Sequence, residues 1–451
     1  MRPRMFGIAV VAAMAGFLFG FDTVVISGAN LPIKELWNTS PWFHGFFIMS
    51  MALWGTVLGA LTGGWPTDKW GRKPTLFWIG VLYTVSAVGS ALAPEPYSFS
   101  FFRFIGGIGV GISSVAAPAY IAEIAEARWR GRLVAAYQFN IVFGILAAFI
   151  SNYLLQGVGG SNDWRWMLGI EALPALVYTV LVLGIPESPR WLAVKKSNRA
   201  GARQALIKLG VAQPDELLAR IEASPAEQQT KVNLLSREIR RPVILAFFIA
   251  FFNQLSGINF ILYYAPEILE RAGLATRDSL FNSIALGGIN LIFTFVGLYL
   301  IDRSGRRALI IWGSLGYIIS LGMVAYSFFA SAGAGWLLVF LLVFIASHAV
   351  GQGTVIWVFI SEIFPNRARA AGQSFGASVH WVLAAIITLV TPVFLDAQKG
   401  LLRHQPGYIF LFFMAMMAAQ LIWAFGFMPE TRGRTLEEIA AGAGAESGVH
   451  R

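Results

Sequence analysis

The chain has 451 residues, of which 56% are hydrophobic and only 13% charged, against roughly 25% charged in ordinary soluble domains. So few charges cannot cover the surface of a water-soluble protein of this size, which excludes a large soluble core as the architecture. The 34 Lys and Arg against 24 Asp and Glu give a net charge of +10, but the basic residues fall in short clusters between apolar runs, the pattern of loops flanking a membrane and not of a nucleic-acid surface.

A bilayer core takes about 20 apolar residues per helix. Such runs predict spans near 6–30, 43–66, 74–93, 97–121, 132–155 and 165–185. A second set lies near 242–270, 279–301, 307–329, 334–361, 370–395 and 406–428. The first run contains Asp22 and passes into Gly28 and Asn30 without a cleavage pattern, so it reads as a span and not as a removable signal peptide. Between the sets, the polar stretch 186–241 holds eleven Lys and Arg, with amphipathic pieces ARQALIKLG and PDELLARIEA expected as short cytoplasmic helices. The expected organisation is an all-α membrane protein of about twelve spans. Its parts are a six-helix bundle over 1–185, a cytoplasmic helical linker over 186–241, a second six-helix bundle over 242–428 and a tail over 429–451. Assigning alternate loops to one side places 27 of the 34 Lys and Arg with the termini and the linker, so the positive-inside rule puts both termini in the cytoplasm. Short loops point to an inner (plasma) membrane, and nothing in the pattern asks for more than a monomer.

The two halves repeat. GGWPTDKWGRK at 63–73 is echoed by LYLIDRSGRR at 298–307, with Asp68 and Asp302 separated by 234 residues. AEIAEARWRG at 122–131 is echoed by SEIFPNRARA at 361–370, so Glu123 to Arg130 and Glu362 to Arg369 share one spacing. PESPR at 186–190 is echoed by PETRGR at 429–434. Three charged motifs recurring in order imply a duplicated six-helix unit. In them Gly permits sharp turns at helix ends. Asp68, Arg72, Glu123, Arg130, Asp302, Arg306, Arg307, Glu362 and Arg369 are then candidates for a cytoplasmic gate of charge pairs between the halves; the alternative is simple positive-inside anchoring.

GGWPTDKWGRK resembles the signature loop of the major facilitator superfamily, and PESPRWL, PETRGRTLEEI and QLSGIN resemble its sugar-porter family, over nearly the whole chain. The resemblance implies two pseudo-symmetric bundles with alternating access to a central sugar site, and transport of a monosaccharide with a proton across the bilayer. Asp22 lies in GFLFGFDTVVISGA, where an unpaired carboxylate is expensive, and Arg103 in FFRFIGGIG is an available partner. A static buried ion pair is one reading. In proton-coupled sugar porters an Asp and an Arg occupy these positions, while passive relatives often carry Asn, so the resemblance favours a proton site over a facilitative uniporter. Glu171 in MLGIEALPAL either assists the proton path or caps a kink near Pro174.

A sugar site needs amides for hydroxyl groups and aromatic faces for the ring. The amides Gln138, Asn253, Gln254, Asn259 and Asn290 match the family's sugar contacts, although a helix-to-helix hydrogen bond is the plain alternative for each. Gly257 between Gln254 and Asn259 predicts local unwinding of the seventh span. The aromatic candidates are Phe19, Tyr263, Trp357 and Trp381. Asn253 stands where relatives usually have Gln, and His380 where many have Asn or Gln. A fructose-carrying branch has His there, which leaves glucose, fructose and xylose open. GGIGVG at 106–111 follows no strand, so Gly107 and Gly111 read as a close-packing face and not a nucleotide loop. The absence of cysteine, and four histidines (His44, His348, His404 and His450) without metal-ligand spacing, leave no metal site, no cofactor and no sign of an enzyme.

Overall fold

The computed structural model describes residues 3–223, 234, 236–237, 239–365 and 368–432, without the side chains of 127 and 128. The tail expected beyond residue 432, with His450 and most of PETRGRTLEEI, and the linker residues 224–233 lie outside the described residues. Among the described residues the structure is helical, with no strand. Helices run α1 (Pro3–Trp37), α2 (Pro41–Phe43), α3 (Met51–Thr62), α4 (Gly64–Lys69), α5 (Arg72–Leu92), α6 (Pro96–Ile124), α7 (Ala127–Leu155), α8 (Asp163–Gly169) and α9 (Ala172–Gly184). Three short helices follow, α10 (Pro189–Val194), α11 (Arg199–Lys208) and α12 (Pro214–Ala223), the last two on the amphipathic pieces noted above. The chain continues through α13 (Arg240–Leu255), α14 (Ile258–Arg271), α15 (Thr276–Ser304), α16 (Arg306–Phe329), α17 (Ala334–Val350), α18 (Gln352–Ile363), α19 (Arg369–Leu395) and α20 (Gly407–Gly426).

Among the described residues, eleven helices or helix pairs are long and apolar enough to cross a membrane, or twelve when the pair Pro41–Met49 and Met51–Thr62, bent by 42°, counts as one span. The expected number is therefore found, but several spans are interrupted. The sixth breaks between α8 and α9, the seventh between α13 and α14 at Gly257, and the tenth between α17 and α18 at Gly351. Gly257 has φ +86°, a left-handed conformation that favours glycine, so the unwinding expected there is present. Large apolar side chains such as Leu154, Leu173, Val180, Ile292, Ile319 and Ile422 face outward, a surface stable against lipid tails and not against water.

The described residues divide into two compact units, one from Met1–Asn38 and Phe47–Gln228 and the other from Thr39–Phe46 and Gln229–Arg451. The helices α10–α12 thus pack with the first unit, where Ala202, Leu206 and Leu218 form their small core. Each unit repeats one packing scheme. In the first, α1 lies on α7, α3 on α6, and α5 on α6 and α9; in the second, α13 and α14 lie on α19, α15 on α17, and α16 on α17 and α20. Small residues permit these close crossings. A Cβ at Gly107 would overlap the Ala52 carbonyl and one at Gly111 the Thr56 carbonyl, so the GGIGVG run is the α3–α6 packing face the sequence predicted. The most deeply buried spans are α1 and the α13–α14 pair, the first of each unit, and these carry Asp22 and the Gln254–Asn259 segment.

Candidate functional site

The repeated charged motifs fold into the same constellation in each unit. At the start of α5, Arg72 Nη2 lies 2.8 Å from Glu123 and Nη1 lies 3.1 Å from Asp68, with a further bond to the Thr67 carbonyl at 2.9 Å. The backbone N–H groups of Arg72 and Lys73 donate to Glu187 Oε1 at 3.0 and 3.2 Å. In the second unit Arg306 Nη2 lies 2.8 Å from Glu362, Nη1 lies 3.4 Å from Asp302 and 3.0 Å from the Ile301 carbonyl, and the Arg306 and Arg307 N–H groups donate to Glu430 at 2.9 and 3.1 Å. Gly71 (φ +110°) and Gly305 (φ +89°) make the turns, and a Cβ on either would run into the glutamate beneath, Glu187 or Glu430. Burial pushes the Glu187 carboxyl above the ordinary glutamate range, against the pull of three backbone N–H donors.

Arg72 and its partners thus lie in the first unit, Arg306 and its partners in the second. Two other expected members behave differently. Arg130 Nε donates to the Ala122 carbonyl at 3.0 Å, and Arg369 Nε has no hydrogen-bond partner among the described residues. Arg307 reaches the Ala424 and Phe425 carbonyls at the end of α20. Glu187 and Glu430 were not singled out from the sequence, although both sit in the repeated PES/PET motif that pointed to them.

Inside the first unit, Asp22 and Arg103 form the expected pair. Arg103 Nη1 lies 2.5 Å from Asp22 Oδ1, Nη2 donates to the Asp22 backbone carbonyl at 3.0 Å, and the two side chains are 1–2% exposed. Glu171, also buried, sits at the α8–α9 break, within electrostatic reach of both. It stands at the N-cap of α9 without capping it, and its Oε1 has no hydrogen-bond partner among the described residues, so the kink-capping alternative fails. Two carboxyl groups facing one guanidinium leave a net negative charge in a dry interior unless the cluster holds one proton. Phe19 is buried one turn before Asp22, and Gln138 is half-buried on α7.

Inside the second unit, the break at Gly257 brings Gln254 and Asn259 together: Asn259 Nδ2 donates to Gln254 Oε1 at 2.9 Å. Gln254 Nε2 donates to Asn253 Oδ1 at 3.0 Å and lies 3.1 Å from both ring nitrogens of His380. The His380 ring packs at 5.1 Å from Trp357 and, edge-on, at 4.7 Å from Trp381. Six of the expected sugar-site residues therefore form one cluster of amides, imidazole and indoles. Asn290 and Tyr263 are buried elsewhere on α15 and α14, and Asn290 makes no side-chain hydrogen bond among the described residues. Gln352, Gln420 and Ser314 join the cluster unannounced. Asn253 Nδ2 lies 3.5 Å from Gln352 Oε1, Gln352 Nε2 lies 2.5 Å from Gln420 Oε1, and Gln420 Nε2 lies 2.7 Å from Ser314 Oγ. The only sequence signal for Gln352 and Gln420 was an amide inside an apolar run, in GQGTVIW and AAQLIW, and Ser314 carried none.

A family model described as Sugar (and other) transporter matches residues 8–442. The chain is 33% identical to the D-xylose-proton symporter of Escherichia coli, covering 97% of this chain and 95% of that one. It is 35% identical to the glucose transport protein of Synechocystis, covering 96% of each, and 32% identical to the arabinose-proton symporter of Bacillus subtilis, covering 96% and 93%. Among solved structures, the inward-open xylose transporter XylE from E. coli shares its fold with a TM-score of 0.84 at 31% identity, over 97% of this chain and 99% of that one. With duplicated helical packing and matches over nearly its whole length, the chain belongs to the sugar-porter family of the major facilitator superfamily, and it is a multi-pass membrane transporter, not an enzyme.

Proposed function

We propose that the protein imports a monosaccharide, a pentose or a hexose, together with a proton, as a monomer in the plasma membrane with both termini cytoplasmic. The observation that carries the coupling is the Asp22–Arg103–Glu171 cluster. A buried carboxylate held at 2.5 Å by a guanidinium, with a second carboxyl alongside, is a place where one proton decides whether the pair is locked or released. Protonation of Asp22 weakens its hold on Arg103 and frees α1 and α6 to shift; proton release restores the lock. The relatives named D-xylose-proton and arabinose-proton symporters support the same reading.

Sugar recognition is assigned to Asn253, Gln254, Asn259, His380, Trp357 and Trp381, with Phe19, Gln138, Tyr263 and Asn290 as further contacts. Amides pair with hydroxyl groups, and the indoles cover the apolar face of the ring. The cytoplasmic gate is assigned to Arg72 with Asp68 and Glu123, to Arg306 with Asp302, Arg307 and Glu362, and to Arg130 and Arg369, which stand outside those two constellations and are available to change partners as access alternates.

Uptake of labelled xylose, glucose and fructose into proteoliposomes, with and without an inward proton gradient, tests this reading. The expected result is accumulation driven by the gradient and lost in Asp22→Asn, while sugar exchange at equilibrium continues. Equal uptake with and without the gradient makes the protein a uniporter. The second bond from Arg103, to the Asp22 backbone carbonyl, favours that alternative, because it gives the pair a structural role independent of charge.

A further inference from the structure

The polar groups of the second unit form a chain of hydrogen bonds that all point the same way. Asn259 donates to Gln254, Gln254 to Asn253, Asn253 to Gln352, Gln352 to Gln420 and Gln420 to Ser314. Ser314 Oγ then donates to the Ile310 carbonyl at 2.7 Å. The Asn253–Gln352 link, at 3.5 Å, is the longest. Each amide has an oxygen that only accepts and a nitrogen that only donates, so turning one amide over sets two oxygens or two nitrogens face to face at both of its ends. The chain therefore holds one polarity throughout or the reverse polarity throughout. The structure holds the polarity that runs from Asn259 toward Ser314. In that polarity the single Ser314 hydrogen goes to the Ile310 carbonyl, which can only accept, and the Ser314 oxygen receives Gln420.

Burial is graded along the same line. Gln352, Gln420 and Ser314 are fully buried, Asn253 and Gln254 nearly so, and Asn259 is the most exposed at 8%. The driest end is the Gln352–Gln420–Ser314 anchor, and the least buried end is Asn259. With the polarity set as observed, the Asn259 amide nitrogen is engaged, and its Oδ1 makes no hydrogen bond among the described residues. Gln254 Nε2, having only hydrogens to give, makes His380 an acceptor.

We infer that Gln352, Gln420 and Ser314 are positioning residues that fix the donor–acceptor polarity of the sugar-facing amides, so that Asn259 presents a carbonyl oxygen and the site selects a ligand hydroxyl that donates. This rests on the reading of the amide cluster as the sugar site. It also gives the shorter Asn253 a function, since its Nδ2 is the link between the ligand-facing amides and the buried anchor. A site built to accept from a hydroxyl rejects an analogue that lacks the proton, because its own oxygen is then left unpaired.

The test uses proteoliposomes holding the full chain, with D-xylose and D-glucose and their monodeoxyfluoro derivatives as competitors. Fluorine occupies the place of a hydroxyl without a hydrogen to donate. In the wild type, one fluoro derivative of the transported sugar should compete about tenfold more weakly than the parent. In Gln420→Met, which removes the anchor at similar volume, the parent KM should rise about tenfold with kcat within about twofold. Discrimination against that derivative should at the same time fall to within about threefold. Ser314→Ala should act in the same direction, and Ser314→Thr, which keeps the hydroxyl, should restore the discrimination. Unchanged KM and unchanged discrimination in Gln420→Met, with only a lower unfolding temperature, would overturn the proposal. If Gln420→Met does not fold, the Ser314→Ala and Ser314→Thr pair decides in the same way. Gln254→Leu separates the two levels: an unaltered parent KM there, or no uptake of either sugar by the wild type, counts against the sugar-site reading itself and takes the proposal with it.

Discussion

The two units share their helix packing and their Arg–Glu constellations, yet their interiors differ in kind. Between α1, α6 and the α8–α9 break, the first unit buries Asp22, Arg103 and Glu171. Around the α13–α14 break, the second unit buries amides, a serine and an imidazole. A buried ion pair is high in stakes: its members are costly to desolvate, and removing one partner leaves the other stranded. Neutral amides exchange partners at about 1 kcal/mol each. The first interior is thus suited to respond sharply to a single proton, and the second to hold and release a polyhydroxylated ligand without trapping it. The shared frame at the helix ends shows that the duplicated fold did not require either interior.

This contrast can be broken most directly at Arg103. Arg103→Leu leaves two carboxyl groups without their cation and should cost about 3–5 kcal/mol, read as a lower unfolding temperature in detergent. Gln254→Leu in the other interior should cost less in stability, and instead raise the sugar KM by roughly tenfold to a hundredfold. Equal stability losses for the two would erase the distinction between the interiors. The shared frame is tested by Gly71→Ala and Gly305→Ala, each placing a Cβ at positive φ against a buried glutamate, with an expected loss of about 1–3 kcal/mol apiece. Unequal losses would show that the two constellations are not equivalent. Arg72→Lys and Arg306→Lys, which remove a forked contact to glutamate, should each cost about 1 kcal/mol.

The smallest expected effect separates the constellations by pH. The Glu187 carboxyl is pushed up by burial, so the folded protein holds that proton more tightly than the unfolded chain does. Its contribution is fully present below the ordinary glutamate value of 4.5 and is lost as pH rises through the elevated folded value. Glu187→Gln should therefore gain stability relative to the wild type as pH rises across that window, by less than about 1.4 kcal/mol for each unit. A stability difference that does not change with pH would show that the glutamate is not titrating there.

Some features were legible before folding because their chemistry is costly in an apolar run. A carboxylate at position 22 and a guanidinium at 103 each require a partner, and each was the available one for the other. The break at Gly257 was visible because glycine stands between two amides in a span. Gln352 and Gln420 were not, since an amide in a span hydrogen-bonds to a neighbouring helix as readily as to a ligand, and only the packing of α13, α18, α20 and α16 shows which. Glu187 and Glu430 lay in a recognised repeat, but their role, receiving the N–H groups at the starts of α5 and α16, depends on the two glycine turns closing over them.

The sequence by itself determined the approximate number of the spans, the duplication and the Asp22–Arg103 pairing. These follow from local hydrophobicity, from spacing repeated along the chain, and from the cost of isolated charge in a low dielectric. Only the tertiary structure decided that the charged loop motifs close into separate constellations, that Glu171 stands free of its helix cap beside the ion pair, and that the amide chain runs in one direction from Asn259 to the Ile310 carbonyl. Those outcomes rest on which helix lies against which and on the direction of individual hydrogen bonds, neither of which is carried by the composition or periodicity of any one segment.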